Sequence, residues 1–168
     1  KALVAEAGPA AKAEIELSTA PVFDQRIVQA VQQQLGEAGL NVKIAMSDMA
    51  SYLKRAQAGP EGTSTLSFGR WSCACQDADG VLFPLLHKSS GWSAYRNPKT
   101  DGLLEEARQT LDKDKRLAAY KQVHEIVAAE APVIPLYQAV VIYGATKNLN
   151  FTPTPNESMF LNRMSWND

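Results

Sequence analysis

The sequence predicts an α/β domain, and three features of the 168-residue chain lead to this prediction. Two segments, residues 14–20 and 41–46, alternate apolar and polar side chains as half-buried strands do. A segment with helical periodicity lies between them. Strand, helix and strand in this order form a βαβ unit, whose two strands pair in parallel through a right-handed crossover.

The helix of this unit is predicted by apolar residues that recur at every fourth position and would form one buried face. They are Phe23, Ile27, Val31 and Leu35. We expect the helix to end near Gly39. Upstream, residues 1–7 are good helix formers followed by Gly8, a pattern typical of a helix C-terminus.

A short helix and a third strand are expected after the second strand. Ser47 or Asp48 can cap a helix whose inward side chains would be Met49, Leu53 and Ala56. Gly59 and Pro60 then end it. Residues 64–71 are predicted to form the third strand.

The second half of the chain predicts two helices joined by a short turn. A short apolar segment, residues 81–86, precedes a polar loop. Asn97 followed by Pro98 is typical of a helix start, and either Asp112 or Asp114 can cap the next helix, which Pro132 would stop. The expected inward side chains of the two helices are Leu103, Leu104, Ala107 and Leu111, and then Leu117, Tyr120, Val123, Ile126 and Val127.

The last predicted element is a mostly apolar strand over residues 132–143. Pro135 is compatible with it only at a sheet edge or a bulge. From residue 149 onward proline, asparagine and aromatic residues replace any periodicity. We therefore divide the chain into a folded unit, residues 1–148, and an irregular tail, residues 149–168.

Composition and charge exclude several classes of protein. The chain has 17 basic and 18 acidic residues, a formal charge of -1, and no basic stripe that could neutralise phosphates. We therefore expect no nucleic-acid partner. No apolar run approaches the roughly 20 residues needed to cross a bilayer. The first residues show neither an initiator methionine nor a leader pattern, so we expect the chain to start inside a larger protein.

The sequence offers no catalytic constellation and no cofactor site. It contains neither G-x-S-x-G nor H-E-x-x-H, and no glycine-rich phosphate loop. Cys73 and Cys75, with only His87 and His124 elsewhere, fall short of a zinc site. A disulfide between cysteines separated by one residue would be strained, so two small buried thiols are the preferred interpretation. A thiol-dependent enzyme that uses one of them remains an alternative.

Four stretches, in order along the chain, resemble the dipeptide/oligopeptide-binding family of solute-binding proteins, extracellular solute-binding protein family 5. Residues 3–8 resemble the helix end before the first strand of the family's C-terminal lobe. Residues 33–43 resemble its "L-x-x-A-G-I-x-V" joint, and residues 95–108 its "Y-x-N-P-x-x-D-x-L-L-x-x-A" helix. Residues 125–137, with the sequence EIVAAEAPVIPLY, match best.

This resemblance implies one lobe of a type II periplasmic-binding-protein-like fold, with a mixed sheet and flanking helices. The family's receptors close two lobes around a peptide or similar small solute and dock on the membrane permease of an ABC importer. The resemblance thus implies a periplasmic or extracytoplasmic binding protein that is not an enzyme, with its N-terminal lobe as a further partner. The tail would return to that lobe. An inert permease-docking module is another alternative.

The candidate ligand site is the stretch after the third strand, because loops at the carboxyl ends of strands receive ligands in α/β folds. It resembles the family's "G-W-x-x-D-x-x-D-P-D" loop, in which Trp71 matches the tryptophan and Ala74 replaces the first aspartate. The guanidinium of Arg70 could instead donate two hydrogen bonds to a ligand carboxylate. Trp71 could also be a core aromatic, and Asp77 and Asp79 are expected to be turn or cap residues. The full candidate set is Arg70, Trp71, Ser72, Cys73, Ala74, Cys75, Trp92 and Tyr95.

Overall fold

A computed structural model describes residues 1–62 and 64–167, and a three-stranded sheet lies in the first half of the chain. Strand β1 (Glu14–Thr19) lies between β2 (Asn41–Met46) and β3 (Leu66–Ser67). Both neighbours run parallel to β1. The predicted α/β class and the βαβ unit are therefore confirmed.

Strand β3 is much shorter than the predicted strand over residues 64–71. Only Leu66 and Ser67 pair with β1, and the backbone N–H of Phe68 donates one more hydrogen bond to the carbonyl of Ser18 at 2.8 Å. The chain then leaves the sheet for the loop that carries the candidate site. Beyond Phe68 the predicted strand has no partner strand among the described residues.

The crossover helix is α2 (Gln25–Glu37), and it packs on the sheet as predicted. Asp24 caps it by accepting a hydrogen bond from the Arg26 N–H at 3.0 Å. Beyond the helix, Gly39 adopts φ 103°, a backbone conformation that favours glycine. The first hydrophobic core forms here from Leu17, Val28 and Phe68, with Phe23, Ile27, Val31, Val42, Ile44 and Leu66 packed against them.

Two smaller helices lie before and after this βαβ unit along the chain. Helix α1 (Ala2–Glu6) and the 3-10 turn after it match the expected helix end before the first strand. Helix α3 (Met49–Ala56) is capped by Asp48, whose carboxylate accepts from the Ser51 N–H at 3.0 Å. Its buried side chain is Tyr52, whereas the predicted inward residue Met49 is exposed.

The second half of the chain forms α4 (Asp79–Leu86), α5 (Pro98–Gln109) and α6 (Lys113–Glu130) around a second core. Asn97 caps α5 and Asp112 caps α6, as the sequence predicts. The second core contains Leu86, Leu103, Leu104, Ala107, Ala119, Tyr120 and Val123.

Two leucines predicted to be buried on these helices are exposed. Leu111 is fully exposed, because α5 ends at Gln109 and Thr110 turns away with an extended backbone. Leu117 is 68% exposed. The buried stripe of α6 passes through Ala119, Tyr120 and Val123, and Leu117 lies to one side of it.

The predicted final strand over residues 132–143 is wrong. No strand is described in this segment, and five of its apolar side chains are exposed: Ile134, Leu136, Tyr137, Val140 and Ile142. A strand that is apolar on both faces needs cover from other elements on both faces, and the described chain supplies none here.

The tail, expected to be irregular, contains one short strand pair. Strand β4 (Leu149–Asn150) pairs antiparallel with β5 (Ser165–Trp166). The described strands therefore form a parallel sheet and a separate antiparallel pair, with helices flanking the parallel sheet. The last residue of the predicted tail, Asp168, lies outside the described residues. Within the described chain, no helix combines the length and the apolar character needed to span a membrane.

Candidate functional site

The candidate site is the loop of residues 70–78, called here the cysteine loop, between β3 and α4. It brings Trp71 next to Trp92: their ring centroids are 5.2 Å apart and the planes cross at 83°. The indole Nε1 of Trp71 donates a hydrogen bond to the carbonyl oxygen of Gly80 at 2.8 Å. Both tryptophans are half-buried. Trp71 is therefore held in one orientation without being enclosed in the core.

Cys73 and Cys75 form a disulfide, so the interpretation as two buried thiols is wrong. A backbone turn brings the cysteines together, because the N–H of Gln76 donates to the carbonyl of Cys73 at 3.1 Å. Cys75 is exposed and Cys73 is half-buried. In this state neither residue offers the free thiol that a thiol-dependent enzyme requires.

Gly80, in the first turn of α4, makes room for the disulfide. A Cβ atom at this position would overlap the sulfur atoms of both Cys73 and Cys75. Sequence reasoning missed this role because a glycine inside a helix indicates only a lower helix propensity. The contact of Gly80 with the sulfurs depends on how the cysteine loop folds back onto α4.

Two arginines anchor the end of the cysteine loop. Arg116 on α6 donates two hydrogen bonds, 2.7 and 2.8 Å long, to the carboxylate of Asp77. This pairing, together with the Asp79 N–H that donates to the same side chain, lowers the pKa of Asp77 to about 2. Asp79 pairs with Arg108 of α5 at 3.0 Å. Asp77 is thus a turn residue, as predicted, and both acids already have cationic partners.

The tail of the chain reaches the cysteine loop. Arg70 pairs with Glu157 at 3.0 Å, and both side chains remain about half exposed. The side-chain amide of Asn156 donates to the carbonyl of Ala74 at 3.4 Å. Ser72 and Ala74 are exposed. Neither tail residue was a candidate, because nothing in the irregular tail sequence points to the loop.

The hydroxyl and the ring of Tyr95 contact helix α6 and the second core. Its hydroxyl donates to Glu130 at the end of α6, and Asn97 donates to the same carboxylate at 2.9 Å. Burial, and then the Glu130 contact, raise the pKa of Tyr95, whereas the Tyr95 hydrogen bond lowers the pKa of Glu130. Its ring packs against the second core. Tyr95 therefore links the start of α5 to the end of α6.

Two side-chain hydroxyls lie at the edge of the sheet where β1 and β2 end. Thr19 ends β1 in full burial, and Ser47 follows β2 directly. Among the described residues neither hydroxyl has a hydrogen-bond partner. Their position at strand ends is a signal that sequence reasoning could have used. No group of three or more His, Cys, Asp or Glu side chains in the described chain is arranged to hold a metal ion.

No family model matches the chain. Among curated proteins, it is similar to the glutathione-binding protein GsiB of Escherichia coli, with 27% identity over 134 residues, 74% of this chain and 26% of that protein. It is also similar to heme-binding protein A of Haemophilus influenzae, with 31% identity over 150 residues, 83% of this chain and 27% of that protein. The chain thus spans about a quarter of the length of these curated relatives.

Solved structures agree with the fold. A dipeptide-binding protein from a Pseudoalteromonas species, in complex with Met-Leu, superposes with a TM-score of 0.79 at 21% identity, covering 99% of this chain and 34% of that one. The periplasmic binding protein DppA of Helicobacter pylori, in complex with the peptide STSA, gives a TM-score of 0.67 at 25% identity, covering 78% of this chain and 26% of that one. Relatives of both kinds are described as binding proteins.

Proposed function

Because the chain belongs to the dipeptide/oligopeptide-binding family of solute-binding proteins, we propose that it forms one wall of the solute cleft of an ABC importer's receptor. The solute is a peptide or a peptide-like small molecule. Residues 1–148 act as one lobe, and residues 149–168 lead back toward the N-terminal lobe of the same protein. The protein works outside the cytoplasm, by binding and without chemistry, and the membrane permease is its downstream partner.

The pair formed by Trp71 and Trp92 carries this proposal. Ligand sites are lined mainly by apolar and aromatic side chains that are partly exposed before the ligand arrives. Trp71 fits this description, because one hydrogen bond and one edge contact fix its ring while part of it stays at the surface. A buried core aromatic would have no such free surface.

The charges around the cysteine loop support a solute that carries a carboxylate. Asp77 and Asp79 are each paired with an arginine, and Ala74 stands where the family's loop has an aspartate. The loop therefore has no free carboxylate for a peptide's amino group. Within the part of the chain that the structure describes, Arg70 is held by an exposed pair with Glu157. Since such pairs contribute about 0 to 1 kcal/mol, a ligand carboxylate can replace Glu157 at small cost.

The exposed apolar side chains between residues 134 and 142 support a contact with another part of the same protein, which would form the opposite wall of the solute cleft. Val140 is 86% exposed and Ile142 is 90% exposed. Contiguous exposed apolar surface of this kind marks a contact site with another element. We assign that contact to the remainder of the receptor, since the relatives are several times longer than this chain.

Calorimetry and thermal unfolding of the purified protein test the proposal. The probes are reduced glutathione, the dipeptide Met-Leu and heme, which represent the ligands that the relatives' names give. We expect at least one probe to bind and raise the unfolding temperature, and Trp71→Ala to remove that response. Trp166→Ala is the matched control, because Trp166 is 70% exposed in the tail. An equal response of both variants would contradict a cleft at Trp71, and no response to any probe would favour an inert docking module.

A further inference from the structure

The two residues of the Cys73–Cys75 disulfide differ in their exposure to solvent. Cys75 is exposed, whereas Cys73 is half-buried. Gly80 lies so close to both sulfurs that a Cβ atom there would overlap them, so α4 covers one side of the bridge. Thiol–disulfide exchange requires a thiolate to reach one sulfur of the disulfide, and access decides which one. An incoming thiol can therefore approach Cys75 more readily than Cys73.

The surroundings favour Cys73 as the leaving group of such an attack. Its Sγ accepts a hydrogen bond from the Cys75 N–H at 3.2 Å, a donor that stabilises negative charge on sulfur. The first turn of α4 lies against both sulfurs, and the positive end of its dipole favours a thiolate that forms there. The hydrogen bond from the Cys75 N–H is what distinguishes Cys73 from Cys75.

Nearby carboxylates do not cancel this effect, because they are already neutralised. Asp77 is paired with Arg116 at 2.7 Å, and Asp79 with Arg108 at 3.0 Å. An unpaired carboxylate in the first turn of α4 would repel a thiolate that forms there. The two arginines thus keep the environment of Cys73 suited to a negative charge.

From these contacts we infer that the Cys73–Cys75 disulfide is a site of reversible thiol–disulfide exchange with small thiols, and that Cys75 is the sulfur attacked. The incoming thiol loses its proton to solvent, and its thiolate forms a new S–S bond with Cys75. The Cys73–Cys75 bond breaks, and Cys73 departs with the electron pair as a thiolate. A second small thiol then releases Cys75, so that the protein is reduced to the dithiol while two small thiols are oxidised to their disulfide. This inference does not depend on the proposed function.

Trapping the mixed disulfide tests the inference directly. The oxidised purified protein is treated with reduced glutathione, quenched with excess iodoacetamide and analysed by tandem mass spectrometry, with the denatured protein as reference. We expect glutathione on Cys75 and the alkyl group on Cys73 in the folded protein, and adducts on both cysteines in the denatured protein. Adducts mainly on Cys73, or no reaction where the denatured protein reacts, would overturn the inference.

A second measurement tests the stabilisation of the leaving thiolate. Arg108→Gln removes the partner of Asp79 and leaves an unpaired carboxylate in the first turn of α4. The matched control is Arg26→Gln, because Arg26 pairs with Asp24 at the start of α2. With 2-mercaptoethanol, a thiol without charge of its own, we expect exchange to slow about two- to fivefold in Arg108→Gln and to stay unchanged in the control. Equal rates in both variants would contradict the stabilisation of a leaving thiolate beside the first turn of α4.

Discussion

Trp71 and Gly80 are joined by a hydrogen bond of 2.8 Å from the indole Nε1 to the glycine carbonyl. The same glycine leaves room for the sulfurs of Cys73 and Cys75. One residue of α4 therefore positions both the aromatic side chain and the disulfide of the candidate site. The orientation of Trp71 and the formation of the disulfide should respond together when this position changes.

Gly80→Ala is expected to prevent the disulfide from forming in its present position, because the added methyl group would overlap both sulfurs. We expect the variant to lose about 1 to 3 kcal/mol of stability in urea unfolding, as overpacked sites do. It should also show free thiols under non-reducing conditions.

Gly102→Ala is the control for this substitution. Gly102 lies within α5, and a Cβ atom there would meet nothing within 4 Å. Alanine at this helix position should therefore stabilise the protein by about 0.5 to 1 kcal/mol. Equal effects of the two substitutions would show that Gly80 has no special role.

Leu104→Ala and Leu111→Ala should differ strongly although both remove the same atoms. Leu104 is fully buried in the second core, so its truncation should cost about 2 to 5 kcal/mol. Leu111 is fully exposed beyond the end of α5, so its truncation should change stability by less than about 0.5 kcal/mol. Urea unfolding of both variants measures this difference. A comparable loss of stability in Leu111→Ala would indicate that Leu111 is buried, as the sequence predicts.

The sequence correctly predicts the elements that pack against their neighbours in the chain. Strand β1, helix α2 and strand β2 are neighbours in the chain, and each buries its apolar face against the next. The caps at Asp48, Asn97 and Asp112 are equally local, since each side chain bonds to an N–H two or three residues ahead. Such short-range patterns can be read without knowledge of the whole fold.

The failures come from contacts that the sequence does not encode locally. Residues 132–143 have the composition of a strand, but a strand forms only beside another strand, and the described chain offers none there. The oxidation state of Cys73 and Cys75 depends on a turn and on the approach of Gly80. The predicted third strand over residues 64–71 ended at Trp71, whereas the structure places Trp71 in the loop beyond β3, where its contacts with Trp92 and Gly80 bridge separate elements.

Glu157→Gln should have little effect on stability. Its partner Arg70 is 56% exposed in the ion pair, and exposed pairs contribute less than about 1 kcal/mol. The expected change in urea unfolding is therefore under about 1 kcal/mol. If Arg70 engages a ligand carboxylate, Arg70→Gln should weaken the binding of Met-Leu while Glu157→Gln should leave it unchanged or strengthen it. Weakening by both variants would indicate that the ion pair acts as a structural unit.

The ion pair of Asp77 and Arg116 should make stability depend on pH in the acid range. The pairing lowers the pKa of Asp77 from its ordinary value of 3.8 to about 2 in the folded protein. A lowered folded-state pKa means that the unfolded chain binds the proton first as the pH falls. The stabilisation is thus complete above about pH 5, and it is lost as the pH falls from there to about 2.

Asp77→Asn removes this contribution at every pH, so the variant and the parent protein should converge in acid. We expect the variant to lose about 1 kcal/mol at neutral pH, a modest value because the pair is about one-third exposed to water. Unfolding by urea at several pH values between 2 and 7 measures the difference. Glu14→Gln is the control, since Glu14 meets Lys43 only at 3.8 Å on the surface. A difference between Asp77→Asn and the parent that stays constant down to pH 2 would contradict the assigned pKa, because the protonated aspartate would then still stabilise the loop.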